Sequence, residues 1–205
     1  MPPRRGILSS RQDPTGGPAP AQGRRAELGD MQTESAVIVT TPQPGHYNID
    51  PGRSRVTFAT RHLFGLGRVR GSFAIRGGTA DVADPIAASA IYAEIETASF
   101  RTKNPARDGS VLSRRFLDPA GHPVMTFRSD RIEAGQHAQA LTGMLTVRGT
   151  TRPVTLTVTR CEASRGSFTA RATARIDRTE FGVTAARGLA ARYLDLTVEV
   201  QCTRN

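Results

Sequence analysis

The chain has 205 residues, 38% of them hydrophobic, with 28 Lys+Arg against 18 Asp+Glu and a formal net charge of +10. That length holds one all-β domain of barrel size plus a tail and leaves little room for two compact domains. No run approaches the roughly 18 apolar residues of a membrane-spanning helix. The longest apolar run before residue 45 is Ala36-Val37-Ile38-Val39, short of the about 7 to 15 residues of a secretory leader, so a cytoplasmic protein without stable membrane insertion is expected.

Residues 1–44 are rich in Pro, Gly, Arg and Ser and lack periodicity, so they read as a disordered tail, with Met31 as an alternative start. The ordered domain is expected over 45–205. Alternating apolar and polar residues suggest strands at 46–49, 54–63, 67–76, 79–82, 88–98, 124–133, 138–147, 153–162, 167–177 and 192–203. The clearest case is TGMLTVRGTTRPVTLTVT, from Thr142 to Thr159. There Leu141, Gly143, Leu145 and Val147 share one face, and Val154, Leu156 and Val158 share the corresponding face after the turn. Over 99–122 the alternation stops, and Asp108 is a candidate N-cap for a short helix through 113–116, lying across an end or flank of the sheet.

So many half-buried strands make an all-β domain, whose apolar face must close into a barrel or pack on a second sheet. The inward parity collects Phe58, Ile91, Ala93, Ile95, Met125, Phe127, Leu141, Gly143, Leu145, Leu156, Val158, Phe168, Ala170, Ala172, Ala174, Leu194, Leu196, Val198 and Val200. Several are very small. Either Ala170, Ala172, Ala174 and Gly143 offset large residues across a filled core, or they leave room for a ligand, as an eight-stranded barrel permits.

Catalytic signatures are missing from the sequence: there is no G-x-S-x-G, no HExxH and no phosphate-cradling glycine loop. His46, His62, His122 and His137 are dispersed, so no metal site and no cofactor is expected, and the protein reads as a non-enzyme. His62 falls on the inward parity, where it is either a structural histidine or a polar contact to a ligand head. Cys161 and Cys202 lack ligand spacing and are expected as free thiols. Lys103 is the one lysine; the arginines, among them Arg148, Arg171 and Arg175, are scattered on polar parity, as on a solvated sheet face. A basic surface binder of nucleic acid or anionic membrane, with a filled core, is the competing reading. It lacks the concentrated basic patch with exposed aromatics that single-strand binders use, so no nucleic acid is expected.

Five strings in order resemble the YceI-like, polyisoprenoid-binding family: YNIDPGRSRVTF, RHLFGLGRVRGSF, TASFRTKNPARDGSVLSRRFLDPAGHPVMTFRSD, GTTRPV and RIDRTEFGV. The resemblance covers about residues 45–203. It departs from the family pattern at Tyr47 (usually Trp), Arg53 (His), Asp177 (Asn) and at Ser110, Val111 and Arg115 (His, Leu, Asp), while the Arg107-Asp108 pair is kept. The resemblance implies an extended antiparallel eight-stranded lipocalin-like β-barrel with one short helical insertion. Its tunnel, on the order of 30 Å from strand rise, would hold an isoprenoid, quinone or similar amphiphilic lipid against the residues from Phe58 to Val198 named above. His62, Arg107 and Asp108 are candidate head-group contacts, with an ion pair or helix cap as the alternative role for the last two. A homodimer is left open.

Overall fold

Alternating strands need somewhere to bury one face, and here they do so by closing on themselves. The computed structural model of the protein describes residues 38–62, 67–134, 139–186 and 190–205. Its strands are β1 (Ile38–Val39), β2 (Gly45–Ile49), β3 (Arg55–His62), β4 (Gly67–Val82), β5 (Ala90–Glu96), β6 (Val124–Ala134), β7 (Gln139–Val147), β8 (Thr150–Ser164), β9 (Ser167–Asp177) and β10 (Tyr193–Arg204), with one described α-helix, α1 (Pro105–Val111). Each strand from β3 to β10 pairs antiparallel with the next. β10 then returns to β3, from Asp195↔Ala59 to Glu199↔Arg55, so the all-β fold is a closed eight-stranded barrel with a single helical insertion.

Where β3 stops short, β2 continues its place in the ring. It bonds β10 at Cys202–Arg204 and β4 at Thr79–Val82. Between β2 and β3 the chain makes a 3-10 turn at Pro51–Arg53, with the Asp50 side chain accepting from Gly52 N. The segment read as a tail lies outside the described residues up to 37. Within its remainder, β1 pairs parallel with β8 at Arg160 and Cys161, and Thr40 Oγ1 donates to Cys161 O while accepting from Ala163 N. The β3–β4 and β6–β7 turns, which contain the outer ends of the strands expected at 54–63 and 138–147, also fall outside the described residues.

Two sequence expectations are corrected. The strands expected at 67–76 and 79–82 are one 16-residue strand, β4, whose first half pairs with β3 and second half with β5. A bulge between Ile75 and Gly77 lets one strand serve both neighbours by inserting an extra residue and bending the chain. The helix is also elsewhere: α1 starts at Pro105 and is capped by Asn104, whose side chain accepts from Arg107 N at 3.0 Å. An Asn N-cap followed by Pro at the first helical position outcompetes Asp108.

Two ends follow from this order. At one, α1 and the β9–β10 connection (178–192) lie near the β7–β8 turn; at the other lie the β4–β5 and β8–β9 turns and the C-terminus. Gly78, beside the β4 bulge, has φ +155°, and a Cβ there would sit 2.2 Å from Tyr92 O and 2.8 Å from Ala93 Cα. Both are backbone atoms of β5 and cannot swing aside. Gly78→Ala is therefore expected to cost about 1–3 kcal/mol of stability, read as a lower urea midpoint; an unchanged midpoint would show that β4 and β5 separate freely here.

Candidate functional site

Inside the barrel lies an apolar cavity of about 500 Å³. Of the lining residues read from strand parity, Phe58, Ile91, Ala93, Ile95, Met125, Phe127, Leu141, Leu145, Leu156, Val158, Phe168, Ala170, Ala172, Leu194, Leu196, Val198 and Val200 all border it. Gly143 and Ala174 do not. A Cβ on Gly143 would meet Phe127 Cζ at 2.7 Å and Arg128 O at 2.5 Å, so the space that its missing side chain leaves is taken by the Phe127 ring. Ala174 packs against the cluster of Phe127, Ile132, Leu141, Leu156 and Ala172. At these two positions the small residues offset large ones.

The remaining alanines act differently. On β9, Ala170 lies opposite Val200 and Ala172 opposite Val198, so small β9 residues alternate with branched β10 residues across the pair. On β5, Ala93 lies opposite Phe127. Three phenylalanines form one wall: Phe58 stacks on Phe100 (centroids 5.4 Å, interplanar 13°), and Phe73 leans on both at 5.8 and 5.3 Å. Offset and tilted pairs of this kind add to what their burial alone contributes.

The end away from α1 is plugged. Tyr47 is 1% exposed, meets Phe168 edge-on at 5.1 Å, and donates its hydroxyl to Gln43 O at 2.7 Å. Buried tyrosine hydroxyls need such an acceptor. Cys161 and Cys202 pack in the same core as free thiols, and burial pushes their pKa values up to about 11 and about 12. Both stay protonated at neutral pH, hence unreactive.

The α1 end is capped by segments without period-two alternation. Ser110 and Val111 of α1, Phe116 and Leu117 after it, and Arg178, Phe181, Val183, Ala186, Ala190 and Ala191 of the β9–β10 connection all reach the lining. Sequence parity could not find them. The signals available were the break in alternation over 99–122 and the alanine-rich GVTAARGLAA run that starts at Gly182, between two strands.

Buried polar groups hold these caps in place. Asp108, a candidate head-group contact, does not border the cavity; it is 9% exposed and turns back onto Thr102, accepting from its N at 3.0 and 3.1 Å and from its Oγ1 at 2.6 Å. Those hydrogen bonds foremost hold its carboxyl below the ordinary carboxylate range, against the opposing pull of burial. Asp177 does the same for the other cap. Burial works to raise its pKa, but hydrogen bonds from Thr179 N (2.9 Å), Thr179 Oγ1 (2.6 Å) and Arg192 Nε (2.5 Å) outweigh it and leave it lowered. Next in the chain, the Arg178 guanidinium is buried and donates to the carbonyl oxygens of Val183, Ala190 and Ala191, fastening the two arms of the connection. Of the other candidate contacts, Arg107 borders the cavity, while the His62 side chain lies outside the described residues.

An antiparallel eight-stranded barrel around an apolar tunnel is a lipocalin-like architecture. A family model described as YceI-like domain matches residues 47–203, and the chain belongs to that family. Among curated relatives, Protein YceI of Escherichia coli O157:H7 is 30% identical over 155 residues, covering 71% of this chain and 79% of that protein. A UPF0312 protein of Pseudomonas syringae pv. tomato is 36% identical over 107 residues; the chain spans 55% of the length of that relative. Solved structures agree on the fold. BcnA of Burkholderia cenocepacia has a TM-score of 0.65 at 21% identity, covering 76% of this chain and 99% of that one. A polyisoprenoid binding domain from Saccharophagus degradans has a TM-score of 0.57 at 12% identity, covering 78% and 98%.

The two lowered carboxylates give stability a definite pH dependence. Their contribution is complete above the unfolded-state carboxylate pKa of about 4 and is lost as pH falls through their lower folded values. Asp108→Asn should lower the melting temperature at pH 7 yet lose less than the parent between pH 5 and pH 3, followed by circular dichroism. Parallel acid profiles for the two proteins would contradict the assignment.

Proposed function

We propose that the barrel binds a long-chain isoprenoid, an isoprenoid quinone or a similar amphiphilic lipid in its cavity, and sequesters or carries it without covalent chemistry. The observation that carries this reading is the cavity itself, about 500 Å³ of apolar space reaching from Phe168 and Cys202 at the plugged end to α1 at the other. From Phe168 to Ile176 the lining runs along β9 for roughly 25 Å of strand. Membership of the YceI-like family, and the polyisoprenoid binding domain among the structural neighbours, point the same way.

Magnitudes favour a long tail. At about 0.8 kcal/mol per buried CH₂, twenty carbons contribute on the order of 16 kcal/mol, against association costs of about 4–15 kcal/mol. A five-carbon group contributes about 4 kcal/mol and does not overcome that cost. Among the described residues, the polar lining consists of Thr60, Arg107, Ser110 and Arg178 beside the Cys202 thiol, an arrangement suited to holding a chain. Some outer-face arginines are tied to acids, Arg55 and Arg171 with Glu199 at 3.0 and 3.9 Å and Arg175 with Asp195 at 3.9 Å. The apolar lining of the cavity supports a lipid over a nucleic acid as partner. Free thiols at Cys161 and Cys202 support a cytoplasmic site of action.

Ala172 borders the cavity between Val158 and Val198 on the flanking strands. Ala172→Trp should fill the middle of the tunnel and reduce lipid recovered by solvent extraction and mass spectrometry at least about tenfold, for an overpacking cost of about 1–3 kcal/mol. Circular dichroism checks that the variant folds, and Ala170→Phe serves where it does not. A folded variant that retains its lipid would refute binding in this cavity.

A further inference from the structure

The fold gathers cations that look scattered along the chain. Between β5 and β6, residues 97–122 carry Arg101, Lys103, Arg107, Arg114 and Arg115 against Asp108 and Asp118. Asp108 is buried and bonded to Thr102, Asp118 is half-buried, and all five cations except the half-buried Arg107 are exposed. Backbone hydrogen bonds between Arg101 and Ser72, at 2.9 and 3.1 Å, lay this segment along β4, beside the exposed Arg68 and Arg70. On the other flank Arg148 Nη2 donates to Arg114 O at 3.2 Å, which brings in the β7–β8 hairpin and its exposed Arg152.

The two ends of the barrel differ in how their charges are matched. At the plugged end acids sit beside cations: Arg53 with Asp50 at 3.9 Å, Arg160 with Glu162 at 2.5 Å, and His46 with Asp81. At the α1 end Arg68, Arg70, Arg101, Lys103, Arg114 and Arg115 form no ion pair among the described residues, and the exposed Glu180 is too little to balance them. Lys103, the one lysine of the chain, even stands at φ 62°, in the left-handed region that favours Gly or Asn. Clustered like charges repel one another, and a polyanionic surface laid against them relieves that repulsion.

The chemistry of this face selects the polyanion. Its cations come from three elements around the barrel end and not from one groove. Phe100 and Phe116, the aromatic residues of the segment, are buried and half-buried, and the exposed Tyr193 is covered by the guanidinium groups of Arg175 and Arg192 at 4.8 and 5.2 Å, so no ring is offered for stacking bases. The face also surrounds Ser110, an exposed residue that borders the apolar cavity, so the cavity comes to the surface within it. A carrier of a water-insoluble chain has to meet a bilayer, and basic clusters are drawn to anionic ones.

We infer that the α1 end of the barrel docks peripherally, without insertion, on an anionic phospholipid bilayer through Lys103, Arg114, Arg115 and the arginines of β4. What is exchanged there rests on the lipid-binding reading above. The full chain should float with vesicles of equal parts phosphatidylglycerol and phosphatidylcholine and not with phosphatidylcholine alone. Binding should be lost as salt rises from about 0.1 M to about 1 M, where the screening length falls from about 10 Å to about 3 Å. Each Lys or Arg near such a surface strengthens binding about fivefold. Lys103→Gln, Arg114→Gln and Arg115→Gln together should therefore bind at least about tenfold more weakly than the equally charged control from the opposite end, Arg53→Gln, Arg131→Gln and Arg165→Gln. Circular dichroism checks that both fold; Arg115→Gln against Arg165→Gln, with a threshold of about threefold, serves where a triple variant does not. No greater binding to the anionic vesicles, or a difference below the threshold, would overturn the docking face. Single-stranded DNA at matching phosphate concentration should leave most of the protein on the vesicles, and its release from them would reassign the face to nucleic acid. Lipid recovered by solvent extraction is read separately. A parent that carries lipid and ignores anionic vesicles overturns the docking face alone, and one that binds them and never carries lipid overturns the lipid reading alone.

Discussion

Everything in this fold depends on the return of the last strand to the first long one. β10 pairs with β3 across some 140 residues of chain, and until Asp195–Glu199 meets Arg55–Ala59 the apolar face of every other strand stays open to water. Closure converts the period-two pattern from a liability into an interior. It also removes the unpaired edges that an open antiparallel sheet presents. The outer ion pair of Arg55 with Glu199 crosses this seam, but an exposed pair contributes little, so the seam is held by its backbone ladder and the residues behind it.

How the interior is filled then varies along the axis. At the plugged end large side chains meet: Tyr47, Phe168 and Cys202 are each almost wholly buried, and Tyr47 occupies a place where the family pattern usually carries the larger Trp. In the middle, β9 and β5 supply methyl groups where neighbouring strands supply Leu, Val and Phe, and the barrel is too wide for those to meet. At the α1 end two irregular segments close over the tunnel, each anchored by a buried carboxylate that bonds to a nearby threonine, Asp108 to Thr102 and Asp177 to Thr179. Besides burying Leu117, Phe181 and Val183 in the core, these caps use polar tethers because their backbone groups have no strand ladder to pair with.

The contrast between strands and caps explains what could be read in advance. Wherever a strand runs uninterrupted along its inner face, as β5, β7 and most of β9 and β10 do, alternation gives the face that turns toward the interior. It failed wherever a bulge inserts one residue and reverses the parity. On β8 the count from Val154, Leu156 and Val158 would send Arg160 inward, but the shift between Val158 and Arg160 turns Cys161 in instead. The shift on β6 between Arg128 and Arg131 brings Ile132 inside, and the one on β4 sets Ile75 and Ala80 on the same face. Gly143 shows a different limit: parity gave its direction, yet whether its space is empty depended on the ring of Phe127 on the next strand. The cap residues carry no period at all, and Asp108 looked like an N-cap because the advantage of Asn104 followed by Pro105 is a matter of local competition.

An interior of this kind has an energetic consequence. Unfilled core volume costs about 24 cal/mol per Å³, so roughly 500 Å³ of it forgoes on the order of 12 kcal/mol relative to a core packed with side chains. That is comparable with the whole net stability of an ordinary domain, about 5–15 kcal/mol. A barrel that keeps such a volume must recover stability elsewhere, through its long backbone ladders, the phenylalanine wall of Phe58, Phe73 and Phe100, and the plugged end. An occupant would add to this directly, because a molecule that binds the folded barrel and not the unfolded chain stabilises the fold in proportion to the logarithm of its concentration. Stability and occupancy are thus coupled by the same small residues: Ala93, Ala170 and Ala172 weaken the packing of the barrel and, in doing so, make room for a chain whose burial can restore it.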